Sequence, residues 1–308
     1  MEINGKKVGV LMGGLSSERE ISLITGKAVA SALRRKGLDA LEMDVGYDIA
    51  EKIKSEGIDL AFLALHGTHG EDGSIQGLLE YARIPYTGSG VLGSALAYDK
   101  IKSKEIFKAN GIPTPDFQVI RKGTDCKRTL EFPLVVKPNR QGSSLGIHIV
   151  KTEENWLKAL EDAFSYSDEI LAEEFIEGRL LAIGMKQSTP MPIVEIRPKS
   201  EFYDYSAKYT SGETQYICPA KLTYEEKSAC EEAAIKVFSA LQGRGVPRID
   251  VILDSNGVPY VLEMNTIPGM TPTSLLPMGA KKAGIEFDDL ALEILSTAQL
   301  DYPEALTE

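Results

Sequence analysis

The chain has 308 residues, of which 43% are hydrophobic and 26% charged, and a formal net charge of −11; this length can bury large cores and predicts two or three domains. The excess of acidic residues argues against nucleic acid or an anionic membrane surface as a partner, and no apolar run approaches the roughly 20 residues that span a bilayer. Three cysteines, few and without CxxC spacing, indicate reduced thiols in the cytoplasm: Cys126, Cys218 and Cys230.

Strands and helices alternate from residue 1 to about residue 88. The apolar pattern predicts strands at residues 8–12, 40–45 and 60–65 and helices at residues 18–36, 48–56 and 74–82. This βαβ alternation predicts a parallel sheet covered by helices, which belongs to the α/β class.

The first predicted strand leads into a loop of glycine and serine, MGGLSSERE, at residues 12–20. Ser16 or Ser17 can cap the helix that follows, and Glu18 lies in its first turn, where the helix dipole favours a carboxylate. The apolar residues of this helix recur at helical spacing: Ile21, Ile24, Ala28 and Ala32. By itself, the segment is compatible with a plain capped helix and with a ligand site.

The third predicted strand leads into a second polar loop, HGTHGEDGSIQG, at residues 66–77. Loops at the carboxyl ends of strands are where α/β proteins place ligands. His66 and His69 are spaced as a metal pair can be, but no cysteine or carboxylate is placed to complete a zinc site. The loop therefore favours a ligand other than zinc.

Residues 89 to about 183 contain a helical pattern through residues 98–102 and strands near residues 117–121 and 133–137. The second strand delivers Lys137 to a loop rich in glycine and serine. Small residues let backbone N–H groups approach phosphates, and the lysine adds a positive charge. The order GxxxxGK[ST] of a Walker loop is absent, and an ordinary turn is the alternative.

The last part of the chain, residues 184–308, begins with a polar and aromatic loop, FYDYSAKY, at residues 202–209. Helices are predicted at about residues 224–242 and 287–297. Between these helices, two short strands at residues 251–253 and 259–262 are joined by the turn DSNG, which predicts a hairpin.

The predicted hairpin carries a set of oxygen ligands. Asp250 and Glu263 lie near its paired strand ends, and Asn265 shares a face with Glu263 because it lies two residues further along the strand. Two carboxylates and an amide carbonyl suit Mg²⁺ or Mn²⁺ held together with phosphate oxygens, and do not suit zinc. A solvated hairpin with ordinary surface acids is the alternative.

In this order and spacing, the segments resemble the ATP-grasp fold, and specifically the D-alanine–D-alanine ligases, from Val8 to about Leu295. The resemblance is carried by the motifs GGLSSEREISL, LHGTHGEDGSIQG, YDKIKSK, KPNRQGSSLG, FYDYSAKY, RIDV and LEMNTIPGMTPTSL. It implies an α/β (α+β) ATP-grasp fold in three parts. These are an N-terminal Rossmann-like domain at residues 1–88, a central ATP-grasp subdomain at 89–183, and a C-terminal ATP-grasp subdomain at 184–308 with the metal site and a mobile loop.

The resemblance also implies an activity. Ligases of this family phosphorylate the carboxylate of one D-alanine with ATP, and the amine of a second D-alanine then attacks the acylphosphate. The product serves peptidoglycan precursor synthesis. The expected co-substrate is ATP, the expected ions are two Mg²⁺ or Mn²⁺, and the expected partners are D-alanine and ATP, without nucleic acid or membrane. A cytoplasmic homodimer is implied in the same way.

Roles for single residues follow from the same resemblance. The expected nucleotide contacts are Lys100, Lys137, Ser144, Glu173, Glu174, Phe175, Ile176 and Lys208. The expected metal ligands are Asp250, Asn265 and Glu263, which would bridge both ions. The expected substrate contacts are Glu18, His66, Ser274 and Leu275. The residues expected to act in catalysis are Glu18, Ser143, Tyr209, Arg248 and Gly269, the last through its backbone N–H.

Two residues depart from the family pattern. Members usually carry an acid that holds the ribose hydroxyls shortly after the adenine-binding segment at residues 173–176, and here that position is Leu180. Loss of two hydrogen bonds costs about 1–3 kcal/mol of nucleotide affinity. Either ATP binds weakly, or one of three nearby glutamates supplies the carboxylate, or the alignment is shifted. Ser206 also replaces an acid that is common in the FYDY segment.

Three other functions are compatible with parts of the pattern. A ligase of the same family can form D-alanyl-D-lactate, but Tyr209 is typical of members that form the dipeptide. Another ATP-grasp carboxylate–amine ligase is disfavoured by the GGLSSERE and PGMTPTS segments. A nucleotide-binding regulator without catalysis is disfavoured because Arg248, both lysines and the expected metal ligands are retained.

Overall fold

The computed structural model describes residue 3 and residues 5–143, 145–199 and 214–302. Within these residues, the strands form three sheets that are joined and covered by helices. The arrangement confirms the predicted α/β class. In the same part of the chain, no helix combines the length and apolar character needed to cross a bilayer.

The first sheet is parallel and has the strand order β2–β1–β3. Its elements are β1 (Lys7–Gly13), α1 (Arg19–Arg35), β2 (Asp39–Val45), α2 (Ile49–Glu56), β3 (Leu60–Leu63) and α3 (Ser74–Ala82). The predicted elements match these within two residues at each end. Because β1 and β3 are parallel neighbours, the loops that follow them emerge side by side at one edge of the sheet.

The buried face of α1 does not coincide with the apolar residues that recur at helical spacing. Ala32 is buried, but Ile24 is exposed and Ile21 lines a cleft. The buried face consists mainly of small side chains: Ser22, Thr25, Gly26, Val29, Ala30, Ala32 and Leu33. A Cβ atom on Gly26 would lie 2.4 Å from the Cβ of Met12, so the helix packs too closely on β1 for larger side chains there. The helix forms as the spacing predicts, but the spacing of the apolar residues does not mark its buried face.

Helices and an antiparallel sheet form the middle of the chain. The elements are α4 (Val91–Tyr98), α5 (Lys100–Ala109), β4 (Phe117–Arg121), β5 (Leu134–Pro138), β6 (His148–Val150), α6 (Glu153–Ala163) and β7 (Glu169–Glu174). The strand order is β4–β7–β5–β6. The helical pattern predicted through residues 98–102 is divided between two helices, because Asp99 is extended and its carboxylate accepts a hydrogen bond from Lys102 N–H at 3.0 Å.

The third sheet contains the predicted hairpin. Its strands are β8 (Arg179–Lys186), β9 (Thr189–Pro190), β10 (Val194–Pro198), β11 (Thr214–Ile217), β12 (Arg248–Leu253) and β13 (Pro259–Asn265). The order is β11–β10–β8–β12–β13, and β9 pairs with β8. The helix α7 (Tyr224–Ala240) packs on this sheet, and Thr223 and Glu226 form a capping box at its start. The hairpin strands are longer than predicted, which places the expected metal ligands within the paired region.

The last helices return to the first sheet. They are α8 (Leu275–Lys282) and α9 (Phe287–Ser296). One hydrophobic core joins the two ends of the chain, with Val8, Val29 and Leu33 from the first part and Leu276, Leu290 and Leu295 from the last. Residues of α8 and α9 therefore belong to the same hydrophobic core as residues of β1 and α1. The predicted division at residues 88/89 and 183/184 stays a prediction; β8 runs through the second of these positions as one strand.

Candidate active site

A cleft of about 1480 Å³ is lined by residues of the second and third sheets and by α1 and the loops next to the first sheet. Pockets for one small molecule usually measure about 300–1,000 Å³, so this cleft has room for more than one ligand. All the predicted site residues that the structure describes line it: Glu18, His66, Lys100, Lys137, Ser143, Glu173, Glu174, Phe175, Ile176, Arg248, Asp250, Glu263, Asn265, Gly269, Ser274 and Leu275. Ser144, Ser206, Lys208 and Tyr209 lie outside the described residues.

The acidic pair on the β12–β13 hairpin is formed by direct neighbours. Asp250 and Glu263 are register partners on the two antiparallel strands, and Arg248 is the register partner of Asn265. The pairing shifts by one residue directly after Asp250, which marks a β-bulge at the site. The two carboxylates and the amide are therefore held together by the paired strands themselves, and none of the three lies in a loop.

Two basic side chains face this pair. Arg248 donates two hydrogen bonds to the Asp250 carboxylate, each 2.7 Å long. Lys100 Nζ lies 3.5 Å from Glu263 Oε2. Within the described ranges, no three side chains of the His, Cys, Asp and Glu types cluster as a metal site. The hairpin oxygens fit Mg²⁺ or Mn²⁺ that also takes oxygen ligands from a bound phosphate.

The two predicted phosphate-binding lysines reach the cleft from different elements. Lys100 begins α5 and donates a hydrogen bond of 2.8 Å to the backbone oxygen of Gln141, in the loop after β5. Lys137 lies near the end of β5, and its Nζ is 2.8 Å from Glu173 Oε1. Both lysines are buried. Because water screens buried charges weakly, their attraction for a bound anion is stronger than that of surface lysines.

Glu18 lies where the loop after β1 meets two other loops. Ser143 Oγ donates a hydrogen bond to the Glu18 carboxylate. A Cβ atom on Gly67 would lie 2.9 Å from Glu18 Oε2, and one on Gly142 would lie 2.4 Å from the same atom. The two glycines therefore allow the loops after β3 and β5 to approach this carboxylate closely.

His66 is buried in the loop after β3. Ser16 Oγ donates a hydrogen bond of 2.6 Å to the backbone oxygen of His66, and Thr25 Oγ1 lies 3.4 Å from its Nε2. Burial lowers the pKa of His66 more than the Glu18 carboxylate raises it, so the ring is neutral at pH 7. The helix begins after Glu18, so neither serine is its N-cap residue. Ser16 still bonds to the start of the helix, because its Oγ accepts a hydrogen bond of 3.2 Å from Glu18 N–H while it donates to His66.

Glu71 is a cleft residue that sequence reasoning did not single out. Its Oε2 accepts a hydrogen bond of 2.7 Å from Gly67 N–H. Although the residue keeps some exposure, protein surrounds its carboxyl group, and this burial with the nearby Glu18 charge raises the pKa of Glu71 to about 8. The carboxyl is therefore mostly protonated at pH 7. The acid stands in the motif HGTHGEDG, but a sequence does not distinguish a buried acid from a surface one.

The N-terminus of α8 forms another part of the cleft wall. Ser274 precedes the helix, and its Oγ accepts a hydrogen bond of 3.1 Å from Thr271 N–H. A Cβ atom on Gly269 would lie 3.1 Å from Ser274 Oγ, so this loop folds tightly over the serine. A hydroxyl beside backbone N–H groups is suited to a carboxylate ligand.

The position of the missing ribose acid is apolar in the structure. Leu180 lies on β8, where its register partners are Ile196 on β10 and Ile252 on β12. All three residues line the cleft. A leucine therefore continues an aliphatic strip at this position.

One of the three glutamates close to Leu180 in the sequence is already paired with two lysines. The Glu173 carboxylate lies 2.9 Å from Lys104 Nζ and 2.8 Å from Lys137 Nζ. Glu174 and Glu177 are exposed and line the cleft. The predicted use of one of these acids for the ribose stays a prediction, and Glu174 and Glu177 are exposed to the cleft for it.

An enzyme that transfers phosphate from ATP needs fixed positive charges and hard oxygen ligands in one enclosure, and this cleft supplies both on an ATP-grasp fold. The class is therefore that of the ATP-dependent ATP-grasp ligases. Residues 40–89 match the family described as D-ala D-ala ligase N-terminus, and residues 106–296 match the family described as D-ala D-ala ligase C-terminus. The chain belongs to the D-alanine–D-alanine ligase family.

Individual relatives agree with this assignment over nearly the whole chain. The D-alanine–D-alanine ligase of Syntrophotalea carbinolica is 48% identical over 300 residues, covering 97% of this chain and 98% of the relative. The ligase of Pelotomaculum thermopropionicum is 47% identical over 306 residues, covering 95% of this chain and 96% of the relative.

Solved structures share the fold. The D-alanine–D-alanine ligase of Bacillus anthracis complexed with ATP gives a TM-score of 0.85 at 35% identity, covering 95% of this chain and 97% of that chain. The VanG D-Ala:D-Ser ligase of Enterococcus faecalis gives a TM-score of 0.81 at 28% identity, covering 95% and 99%. The residue roles inferred from the sequence stay predictions, because neither comparison tests single side chains.

Proposed function

We propose that this protein joins two D-alanines into D-alanyl-D-alanine for peptidoglycan precursor synthesis. ATP is converted to ADP and phosphate, and the reaction passes through an acylphosphate. One observation carries the proposal: a single cleft holds the two lysines, the acidic hairpin and the Glu18–Ser143 pair. The sequence identity of 47–48% to named ligases, over nearly the whole chain, supports the same activity.

In the first step, a carboxylate oxygen of one D-alanine attacks the γ-phosphorus of ATP, and ADP leaves. Phosphoryl transfer depends on alignment and charge neutralisation more than on covalent help from the protein. Lys100 and Lys137 present fixed positive charge to the phosphates. Glu18 pairs with the ammonium group of the D-alanine, with His66 nearby, and this orients the carboxylate toward the phosphorus.

The hairpin is the proposed metal site. Asp250, Glu263 and Asn265 would hold two Mg²⁺ or Mn²⁺ ions, which when bound neutralise charge on the phosphate oxygens. Hard oxygen donors and the adjacent Lys100 fit this role, because the lysine and the ions then act on the same phosphates.

In the second step, the amine of the second D-alanine attacks the acyl carbon, phosphate leaves, and the nitrogen loses a proton. Arg248 and the backbone N–H of Gly269 stabilise the negative charge that develops on the acyl oxygen. Ser274, with Leu275, binds the carboxylate of the second D-alanine. This step requires that water be kept from the acylphosphate, because water would hydrolyse it.

The decisive experiment measures phosphate release and the products formed from Mg·ATP with D-alanine, L-alanine and D-lactate side by side. We expect release with D-alanine, dipeptide as its product, and no dipeptide from L-alanine alone. Absence of release with every amino acid would indicate a nucleotide-binding regulator. A depsipeptide as the main product of D-alanine plus D-lactate near neutral pH would indicate the alternative ligase.

Two further parts of the proposal concern the oligomeric state and the cellular compartment. The family resemblance supports a homodimer, and the sparse cysteines support the cytoplasm. Light scattering after size-exclusion chromatography tests the first, because a monomer and a dimer of this 33.6 kDa chain are readily separated.

A further inference from the structure

Lys104 is a buried lysine that the proposed reaction leaves without a role. It lies one turn after Lys100 on α5, and its side chain has 0% exposed surface. Its Nζ donates a hydrogen bond of 2.7 Å to Thr114 Oγ1 and lies 2.9 Å from Glu173 Oε1. A buried ammonium group is stable only where other groups compensate the loss of water. The groups that contact Lys104 are therefore the basis for inferring its role.

The same Glu173 oxygen contacts a second lysine from the side of the cleft. Lys137 Nζ lies 2.8 Å from Glu173 Oε1. The two residues share a face of the middle sheet, because Val135, two residues before Lys137, is the register partner of Glu173. Lys137 and Glu173 line the cleft, and Lys104 contacts the carboxylate from within the protein.

The cluster carries a net positive charge at neutral pH. Burial lowers the pKa of Lys104 to about 8, although Glu173 raises it, so this ammonium is mostly charged at pH 7. Burial raises the pKa of Glu173, but Lys104 and Lys137 outweigh it and the pKa is lowered. One carboxylate is therefore shared by two cations, which leaves one positive charge in excess.

We propose that Lys104 is a positioning residue for the nucleotide: it takes up the charge of Glu173 so that the ammonium of Lys137 stays available to ATP phosphates. The inference rests on the proposed ATP-dependent function, in which Lys137 contacts those phosphates. It adds a residue that never touches the nucleotide and acts through another side chain.

The reason is a competition for Lys137. If Lys104 were neutral, Glu173 would keep Lys137 as its charged partner in a weakly screened environment. The phosphates would then compete with a buried carboxylate for the same ammonium, and the positive charge that attracts them would be cancelled. When Lys104 is charged, its ammonium group balances the negative charge of Glu173 from the side away from the cleft. The remaining positive charge, on Lys137, then faces the cleft.

The test compares Lys104→Met with Lys108→Met by isothermal titration with Mg·ADP and with adenosine. Lys108 lies one turn further on the same helix and pairs at the surface with Asp116, so its substitution is a matched control. We expect Lys104→Met to weaken Mg·ADP binding by about tenfold, the size of one charge-assisted contact. Adenosine has no phosphate, and its binding should change by less than about twofold. Lys108→Met should leave both ligands unaffected.

Steady-state kinetics supply an independent readout. In Lys104→Met, the KM for ATP should rise by about tenfold, whereas kcat at saturating ATP should stay within about twofold of the native value because the reacting groups are untouched. Lys104→Gln keeps a donor for Thr114 without the charge, and it replaces the methionine variant if thermal unfolding shows that the latter does not fold.

A double-mutant cycle tests whether the effect passes through Glu173. In the Glu173→Gln background there is no carboxylate to compensate, so adding Lys104→Met should change Mg·ADP affinity by less than about twofold. An undiminished effect in that background, unchanged Mg·ADP binding in the single variant, or equal weakening of adenosine would each overturn the proposal. If the native protein itself does not bind Mg·ADP, the proposed function fails instead.

Discussion

Glu263 carries a negative charge on which the proposed metal site depends. Its side chain is 35% exposed, and its backbone is held by the β12–β13 pairing. Replacement by glutamine keeps the shape but removes the charge. We expect Glu263→Gln to reduce the initial rate of phosphate release by ~10²-fold or more with little change in melting temperature. Glu232→Gln, on the exposed face of α7, serves as the control. Near-normal activity at saturating Mg²⁺ would contradict the metal assignment.

The ribose site gives a second prediction for single side chains. Because Glu173 is bound by two lysines, we expect Glu177 or Glu174 to meet the ribose hydroxyls. Leu180→Glu should then lower the KM for ATP by less than the tenfold that about 1.4 kcal/mol would give. Glu177→Gln and Glu174→Gln identify which acid is used, through a higher KM for ATP.

Comparison of ATP with dATP provides the control for the ribose site. If the 2′-hydroxyl is unrecognised, dATP serves nearly as well as ATP in the native enzyme. A gain of more than tenfold from Leu180→Glu would instead show that no nearby acid serves the ribose and that the enzyme works with weakened nucleotide affinity.

At this scale, the sequence identifies residues whose chemistry is visible in their type and spacing. Asp250, Glu263 and Asn265 could be grouped because strand alternation fixes which side chains share a face. Lys104 and Glu71 could not, since each owes its character to burial, and burial depends on which distant segments fold around it.

At the scale of elements, the loop after β5 depends on a glycine beside Glu18. A Cβ on Gly142 would lie 2.4 Å from Glu18 Oε2 and must displace the carboxylate or the loop. We expect Gly142→Ala to raise the KM for D-alanine by about tenfold or more, with a smaller effect on the KM for ATP. Steady-state kinetics with each substrate varied measure the two effects separately.

Gly77→Ala is the matched control for this substitution. Gly77 lies in α3, and no atom of the described residues outside its own helix lies within 4 Å of an added Cβ atom. Alanine there should be neutral or stabilise the protein by up to ~1 kcal/mol, because alanine has the higher helix propensity. If Gly142→Ala behaves like this control, Glu18 does not depend on the close approach of the loop.

Elements were predictable from the sequence where the pattern is local. The strands and helices of the first 88 residues follow from apolar runs and periodicity. The face that α1 buries cannot be read from the apolar spacing, because close packing on Met12 selects small residues and leaves isoleucines to the cleft. The break at Asp99 was also missed, since it depends on a cap formed by one side chain.

At the scale of the whole molecule, the two ends of the chain share one core. Leu276, Leu290 and Leu295 pack in the same cluster as Val8 and Leu33. We expect residues 1–88, expressed alone, to lack a cooperative thermal transition by circular dichroism, because this core then exposes apolar surface. Fusion of residues 270–302 to this fragment through a flexible linker should restore part of the transition. Cooperative unfolding of the fragment alone would contradict this expectation.

This shared core also sets an order of events during synthesis. The first sheet and α1 leave the ribosome early, but the helices that cover them follow only after roughly 200 more residues, which take ~10–40 s at ~5–20 residues per second. Throughout that interval, the apolar surface next to Leu33 is exposed to other nascent chains. We therefore expect the newly made chain to be more prone to aggregation than the folded enzyme until residues 275–296 have been made.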